Sequence, residues 1–275
     1  MNATMPVLLV VTPTLGESAF LDQTVAAVAA LPLSIRHVLS APFPRVEQLQ
    51  ARYPGTQVVA DAGRKGGIYG ALNVALSLVP KGWDWFTYIN DDDLLLPGFG
   101  AMARAHVVRP DPEPVTYGNV EMIDETGRRL GLVTVEPDAR WIPALLQQDI
   151  SPLMQQGMLF HHECVARLQG FDTRYSLCAD LDFWLRACAA GERFRYYPEA
   201  VAQFRLRSGQ LSGNTSLTVS EQRHIVARHL PARLPAWRRH FATLRYRLHN
   251  LPRYLERFRR ARGFPRSYDL LGQSS

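Results

Sequence analysis

Short apolar runs rich in β-branched residues alternate with helix-like segments over the first hundred residues, and this alternation limits what the chain can fold into. The runs predict strands at Val7–Val11, Ile35–Leu39, Gln57–Ala60 and Trp85–Ile89. The segments between them predict helices at Ser18–Ala30, Arg45–Tyr53 and Ile68–Val79, with Ser18 as the first N-cap. Elements in this order build βαβ units. We therefore expect an α/β, Rossmann-like fold with a mostly parallel central sheet and helices on both faces.

The pattern changes after Pro110. The runs Val115–Asp124 and Leu130–Val135 flank a polar turn that contains glycine, which predicts a β-hairpin. The remaining predicted elements are a strand at Gly157–Phe160, a helix from Glu163, a helix from about Asp180 to Ala190 and a strand around Phe194–Tyr197.

The basic charge of the chain is concentrated near its C-terminus. Of the 31 lysines and arginines, twelve are arginines between Arg228 and Arg266, where Glu256 is the one acid. With 275 residues, 47% of them hydrophobic, the rest of the chain can bury a large core. We predict a main domain at 1–227 and an arginine-rich, helical extension at 228–275.

Cysteine content and hydropathy indicate the compartment. The three cysteines are odd in number and far apart, which argues against a disulfide framework and for a reducing environment. The first apolar run is shorter than the core of a secretory signal and follows no basic residue. No apolar stretch has the length of a membrane span. We therefore expect a cytoplasmic protein, with contact at the inner face of the cell membrane left open.

Three successive acids follow the fourth predicted strand in the stretch YINDDDLLLPG. Asp91, Asp92 and Asp93 could form a solvated turn closed by Pro97 and Gly98. However, ligands of open α/β sheets bind outside the carboxyl ends of the strands, and uncompensated carboxylates placed there repel one another. Mg²⁺ and Mn²⁺ favour such oxygen ligands, often with substrate phosphates and water. The pattern therefore favours a divalent metal that carries a diphosphate.

Two further segments each allow either a structural or a functional interpretation. The sequence Arg64-Lys65-Gly66-Gly67 enters a predicted helix, so it is either an ordinary loop or a phosphate site at a helix N-terminus. Asp180 begins another predicted helix, where it could act as an N-cap or as a general base.

Four motifs in this order resemble one family. VTPTLGE ends the first strand, GGIYGALNVAL spans 66–76, YINDDDLLLPG spans 88–98, and QQGMLFHHECVARLQGFDTRYSLCADLDFWLRACAAG spans 155–191. Together they resemble the family 2 inverting glycosyltransferases of GT-A fold, over roughly residues 5 to 215. The resemblance implies a nucleotide-sugar donor at the carboxyl edge of the sheet and a DxD-type motif that holds ribose and a Mn²⁺ or Mg²⁺ ion.

The resemblance also implies roles for particular residues. Asp180 would be the catalytic base, and Asp93 the best metal ligand, together with Asp91. The predicted nucleotide-sugar-binding residues are Thr12, Pro13, Thr14, Glu17, Asp61, Lys65, Gly67, Asn73, Asp91, Asp92 and Arg207.

The chain departs from the family pattern at four places. Arg64, Lys65 and Gly66 stand where family members often carry an acid. Ala179 stands where the family has a glutamate before the base, and Ser40 lies near the usual position of an aspartate that reads the nucleotide base. Arg207 replaces a histidine that can reach the metal or diphosphate; arginine cannot ligate a metal but pairs with phosphate. The sugar, the base and the acceptor stay open.

The sequence thus predicts a metal-dependent inverting glycosyltransferase that uses a saccharide or lipid-linked acceptor in surface-polysaccharide biosynthesis. The alternatives are a nucleotidyltransferase acting on a sugar phosphate and a non-catalytic nucleotide-sugar-binding protein of the same fold. The basic extension either packs on the domain or contacts an anionic membrane surface, which the resemblance favours because many relatives use lipid-linked acceptors. Nucleic acid is the least favoured partner of this extension.

Overall fold

The computed structural model describes residues 6–207, 210 and 215–261. One nine-stranded sheet forms the centre of the described part of the chain. Its strands are β1 (Val7–Pro13), β2 (Ser34–Pro42), β3 (Gln57–Asp61), β4 (Trp85–Tyr88), β5 (Leu94–Leu95), β6 (Val115–Ile123), β7 (Arg129–Val133), β8 (Leu159–His161) and β9 (Phe194–Arg205).

Helices connect most of these strands. They are α1 (Leu21–Ala29), α2 (Val46–Arg52), α3 (Gly67–Leu78), α4 (Pro97–Val107), α5 (Ile142–Leu146), α6 (His162–Leu168), α7 (Ala179–Ala189), α8 (Thr215–His229), α9 (Ala236–His249) and α10 (Leu251–Ala261). No helix in the described ranges combines the length and the apolar character that crossing a membrane requires.

The strand order is β3-β2-β1-β4-β8-β6-β9-β5, with β7 paired to β6 outside this path. Strands β1 to β4 run parallel to one another, as βαβ units require. Strand β8 is antiparallel to both β4 and β6, whereas β6 and β9 run parallel. The α/β fold class predicted from the sequence is confirmed, and the second half of the sheet adds antiparallel pairs to the parallel first half.

Apolar cores lie on both faces of the sheet. On one face, alternate residues of β1 and β4, such as Leu9 and Phe86, pack with helices α3, α6 and α7. On the other face, Val10 and Trp85 pack with α1 and α4. Because side chains alternate along a strand, a strand with helices on both faces becomes an apolar run without breaks. This is why the first and fourth strands were visible in the sequence.

The prediction of Ser18 as an N-cap is wrong. Helix α1 begins at Leu21 after Phe20, and no side chain caps it. The hydroxyl of Ser18 instead accepts a hydrogen bond from the Phe20 N–H (3.2 Å) and donates one to the carbonyl of Asp91 (2.9 Å). The loop after β1 is therefore tied to the loop after β4.

The C-terminal helices pack against the edge of the domain. Ala242 and Tyr246 of α9 are buried against Ala144 and Leu145 of α5. Glu256 of α10 forms an ion pair of 2.7 Å with Arg129 at the start of β7. The sequence-based boundary between 227 and 228 falls in the last turn of α8, so we place the start of the extension after this helix. Residues 262–275 of the predicted extension lie outside the described residues.

Candidate active site

Loops that follow β1, β2, β3 and β4 meet at one side of the sheet, which we call the carboxyl edge. The hydroxyl of Thr14, after β1, donates a 2.6 Å hydrogen bond to Oδ2 of Asp91, after β4. The backbone N–H of Thr14 donates to the carbonyl of Ser40 in β2 (2.9 Å). These contacts bring Thr14 and the acidic loop together, as the sequence pattern predicts.

The loop after β3 joins the same edge. The hydroxyl of Ser40 lies 2.9 Å from Oδ2 of Asp61, and Oδ1 of Asp61 accepts a hydrogen bond from the N–H of Gly63 (2.6 Å). Arg64 bridges back to the first loop through an ion pair of 2.8 Å with Glu17. Asp61 therefore places a carboxylate beside Ser40 at this edge.

The N-terminus of α3 lies next in the chain. Lys65 and Gly67 are exposed, and Gly67 begins the helix with a φ of 65°, a left-handed conformation that favours glycine. The first N–H groups of a helix have no partner within it and attract anions. Both predicted residues are thus accessible at the carboxyl edge.

Asp93 is fully buried under this edge. Its Oδ1 accepts a hydrogen bond from the backbone N–H of Arg205 (2.8 Å), and its Oδ2 accepts one from Gln156 (2.9 Å) and a longer one from Asn90 (3.3 Å). Burial, together with the charge of Asp92, raises the pKa of Asp93. Because protein donors already occupy both oxygens, we do not carry Asp93 forward as the metal ligand that the sequence predicts.

Arg205 is a buried cation that the sequence analysis missed. It is 1% exposed and ends β9 directly beneath the acidic loop. Its guanidinium donates to the carbonyl of Asp92 (2.9 Å), to the carbonyls of the β6–β7 turn at 124 and 125 (3.2 and 3.3 Å) and to the side chain of Gln23 (2.8 Å). It also lies 4.2 Å from the ring centre of Phe20. Arg205 therefore fixes the path of the acidic loop.

Of the other two acids, Asp91 is partly exposed at the carboxyl edge and Asp92 is buried there. Oδ2 of Asp92 accepts a hydrogen bond from Nε of Arg207 (2.7 Å), so these two predicted residues form an ion pair. Asp91 is half-buried, and its Oδ1 receives no hydrogen bond from another described residue. Burial raises the pKa of Asp91 to about 6, and the charge of Asp92 adds to this effect.

The possible metal ligands at the carboxyl edge can be compared with those that a divalent ion needs. No group of three or more His, Cys, Asp and Glu side chains in the described ranges is placed to hold a metal. Mg²⁺ and Mn²⁺ sites, however, often use one or two carboxylates and complete their shell with phosphate and water. Asp91 offers a free oxygen, and its raised pKa reflects a carboxylate that an added cation would stabilise. The edge therefore fits a divalent ion that arrives with a diphosphate.

Asp180 lies in the first turn of α7, near the end of β4. Burial raises its pKa to about 6, although the N–H of Leu181 donates a hydrogen bond of 2.8 Å to its Oδ1. Burial raises the pKa of Tyr88, and the charges of Asp180 and Asp93 add to this effect, so both carboxyl groups lie near the end of β4. A carboxyl group with a pKa near neutrality can exchange protons at physiological pH.

The loop before Asp180 is held by α8. The carboxylate of Glu221 accepts hydrogen bonds from three successive backbone N–H groups, those of Ser176 (2.8 Å), Leu177 (2.9 Å) and Cys178 (2.9 Å). Two residues further along α7, the buried Asp182 bonds Arg186 and His229, both at 2.7 Å. These contacts fix the start of α7 and thereby the position of Asp180.

Two predicted binding residues are used inside the protein. Thr12 is fully buried, and its hydroxyl lies 3.0 Å from Nε2 of His37 in the core. The side-chain amide of Asn73 exchanges two hydrogen bonds with the backbone of Phe171 (2.8 and 2.9 Å). Pro13 is also buried at the end of β1. Because these side chains are engaged or covered, we leave all three out of the proposed binding surface.

Comparisons with known proteins agree with the fold. The sequence matches no family model, and no curated protein matches it. Solved structures do match. The 1-349 segment of S. aureus TarS, in complex with UDP-GlcNAc, aligns with a TM-score of 0.58 at 15% identity, covering 89% of this chain and 72% of that one. The mannosyltransferase PcManGT from Pyrobaculum calidifontis, in complex with GDP-Man and Mn²⁺, aligns with a TM-score of 0.58 at 17% identity, covering 98% and 79%.

These likenesses establish the fold of the chain, which shares its α/β architecture with both structures.

Proposed function

We propose that this chain is an inverting glycosyltransferase that transfers a sugar from a nucleotide-diphosphate donor to a hydroxyl group. The observation that carries this proposal is the carboxyl edge itself. There Thr14 binds Asp91, Arg207 pairs with Asp92, and a carboxyl group of raised pKa, that of Asp180, lies near the end of the same strand. The shared fold with structures that contain UDP-GlcNAc or GDP-Man supports the choice of donor class.

In this proposal, groups at the carboxyl edge bind different parts of the donor. Asp61 and Glu17 would bind the nucleoside, in loops that the bond from the buried Thr14 to Asp91 holds together, and Lys65 with the N-terminus of α3 would bind the diphosphate. Asp91 and Asp92 would hold the Mn²⁺ or Mg²⁺ ion, which when bound neutralises charge on the leaving diphosphate. Arg207 can pair with phosphate if its contact with Asp92 rearranges. The cation beneath the loop, Arg205, keeps these carboxylates in place.

Asp180 is the base in this proposal. As the acceptor oxygen attacks the anomeric carbon, its proton passes to the carboxylate of Asp180, and the bond from that carbon to the diphosphate oxygen breaks. Attack from the face opposite the leaving group inverts the anomeric configuration. The nucleoside diphosphate leaves with the electron pair of the broken bond.

The acceptor in this proposal is a saccharide, free or linked to a lipid, and the reaction belongs to cell-surface polysaccharide biosynthesis in the cytoplasm. The resemblance in the four sequence motifs supports this assignment. The loop after the first strand distinguishes the proposal from a nucleotidyltransferase, which would more usually carry a basic, glycine-rich loop there. The stretch TPTLGESAF has no basic residue there.

A panel of nucleotide sugars, each with Mn²⁺, tests the donor site. We expect one donor class to raise the melting temperature, because a ligand that binds only the folded state stabilises it by about 2.7 kcal/mol at a hundredfold excess over its Kd. The Asp91→Asn variant should lose most of the metal-dependent part of this shift. The matched control, Asp111→Asn, changes an acid whose side chain is 79% exposed on the surface and should keep the full shift. Equal shifts in both variants would argue against Asp91.

The pH dependence of transfer tests the base. Only ionised Asp180 can accept a proton, so we expect kcat to rise as the pH increases through about 6, the raised pKa of this carboxyl group, and to level off above it. The measurement is kcat against pH at saturating donor and acceptor. A rate that stays constant from pH 5 to 8, the range on either side of that value, would contradict the assignment.

A further inference from the structure

Helices α9 and α10 expose a line of large apolar side chains. On α9 the line contains Trp237, Phe241, Leu244 and Leu248, which are 69%, 50%, 57% and 62% exposed. Leu251 and Leu255 of α10 continue it at 49% and 48%. We call these six residues the apolar stripe. More than half of the large hydrophobic side chains that the described residues expose lie on these two helices, so the stripe is a concentrated feature.

The spacing of the stripe residues shows which face of the helices they occupy. Steps of three and four residues keep these side chains on one helical face. The opposite face contains Ala242, Tyr246 and Asn250, which are buried against the domain. Asn250 is fully buried, and its side chain contacts Thr134. The domain therefore holds these helices by one face and presents the apolar stripe to the surroundings.

The charges beside the stripe are almost all positive. Between 236 and 261 Glu256 is the one acid, and it is paired with Arg129 of the domain. Arg238 and Arg247 flank the stripe on its two sides; Arg247 is exposed, and Arg238 lies over the ring of Trp141. An apolar stripe between basic borders matches the interface of a bilayer that contains anionic lipids.

We propose that the apolar stripe lies on the surface of an anionic phospholipid bilayer. A second copy of this chain is the competing occupant, but a symmetric pair would bring the arginine borders of both copies together, and like charges repel. A bilayer supplies both the apolar layer and the negative headgroups. Charge complementarity therefore favours the membrane.

Helix α10 contacts the β6–β7 hairpin, whose turn bonds to Arg205 beneath the candidate active site. Glu256 of α10 contacts Arg129, which pairs with Ile123 at the end of β6. Strand β8 lies between β4 and β6 and is antiparallel to both. Strands β4 and β6 therefore run in the same direction, and both end at the carboxyl edge. The β6–β7 turn also contacts Arg205. If the proposed function holds, a membrane bound to the stripe would hold a lipid-linked acceptor beside that edge.

Vesicle binding by the full chain tests the proposal without any donor or acceptor, so its failure is distinct from failure of the proposed function. We expect co-sedimentation with vesicles of equal parts phosphatidylglycerol and phosphatidylcholine, little with phosphatidylcholine alone, and weakening by salt. The variant Leu244→Gln/Leu248→Gln should bind at least about tenfold more weakly, because two apolar side chains no longer enter the interface. The control Leu78→Gln/Val108→Gln changes side chains 57% and 71% exposed on α3 and just after α4 and should bind like wild type.

Two further measurements distinguish a bilayer from a second copy of this chain as the partner of the apolar stripe. Tryptophan fluorescence should shift to shorter wavelength on vesicle binding, and Trp237→Phe should remove most of that shift. Light scattering without lipid should show a monomer. No binding to anionic vesicles, or equal binding by both double variants, would overturn the proposal. A dimer that Leu244→Gln/Leu248→Gln dissociates, without vesicle binding, would overturn it in favour of self-association.

Discussion

Replacing Asp180 with asparagine should lower kcat by about 10² to 10⁴-fold, the usual contribution of a general base. Asparagine has nearly the same shape but cannot accept the proton of the acceptor hydroxyl. The backbone contacts of Glu221 that hold this loop do not involve the side chain of residue 180, so the fold should be preserved. The measurement is steady-state transfer to acceptor, or donor hydrolysis if no acceptor is found.

Two controls make this result specific. Asp180→Asn should keep the thermal shift with donor and Mn²⁺, because Asp91 and Asp92 are unchanged. Asp111→Asn should keep full activity. An Asp180→Asn rate within a few-fold of wild type would contradict the role of the base. A wild-type protein that binds a donor but never transfers or hydrolyses it would favour the non-catalytic alternative.

Replacing Arg205 with methionine should lower the free energy of unfolding by about 3–5 kcal/mol, the range for removing one partner from a buried charge network. The fully buried Asp93 would lose its nearby positive charge, and three backbone carbonyls would lose their donor. Urea denaturation at neutral pH measures this loss. The matched control is Arg223→Met, at a side chain 67% exposed and 3.5 Å from Asp149.

The control should change stability by less than about 0.5 kcal/mol, as exposed ion pairs do. An Arg205→Met protein within about 1 kcal/mol of wild type would show that the cation is not needed to hold the acidic loop. If Arg205→Met does not fold at all, Arg205→Lys keeps a charge but not the forked set of donors, and it should be intermediate in stability.

The fold was predictable because its strongest elements repeat a simple pattern. Strands β1 and β4 are covered on both faces, so each is a continuous apolar run in the sequence. Strand β5 has two residues, too few to show the alternation of apolar and polar side chains that marks a strand. Helix α4 was also not predicted. The predicted strand Phe194–Tyr197 is the first part of β9, which continues to Arg205 past Pro198 and irregular pairing with β6.

The sequence predicts that three acids follow β4 at the carboxyl edge, but it does not predict which of them is buried. The sequence places three aspartates at the end of β4; which of them points inward depends on β9, more than a hundred residues away. Arg205 was missed because arginine is rarely buried. Its signal was an arginine within the mostly apolar end of a strand, VAQFRL. Nothing in the sequence around Thr12 and Asn73 shows whether these side chains form hydrogen bonds in the core or contact a ligand.

A crystal structure with Mn²⁺ and the nucleotide sugar selected by the panel tests the central claim most directly. The account predicts the diphosphate between Thr14, Asp91 and the start of α3, a metal ligated by Asp91 or Asp92, and Asp93 still buried beneath them. A ligand bound elsewhere, with Asp91 and Asp92 facing open solvent and no metal beside them, would contradict it.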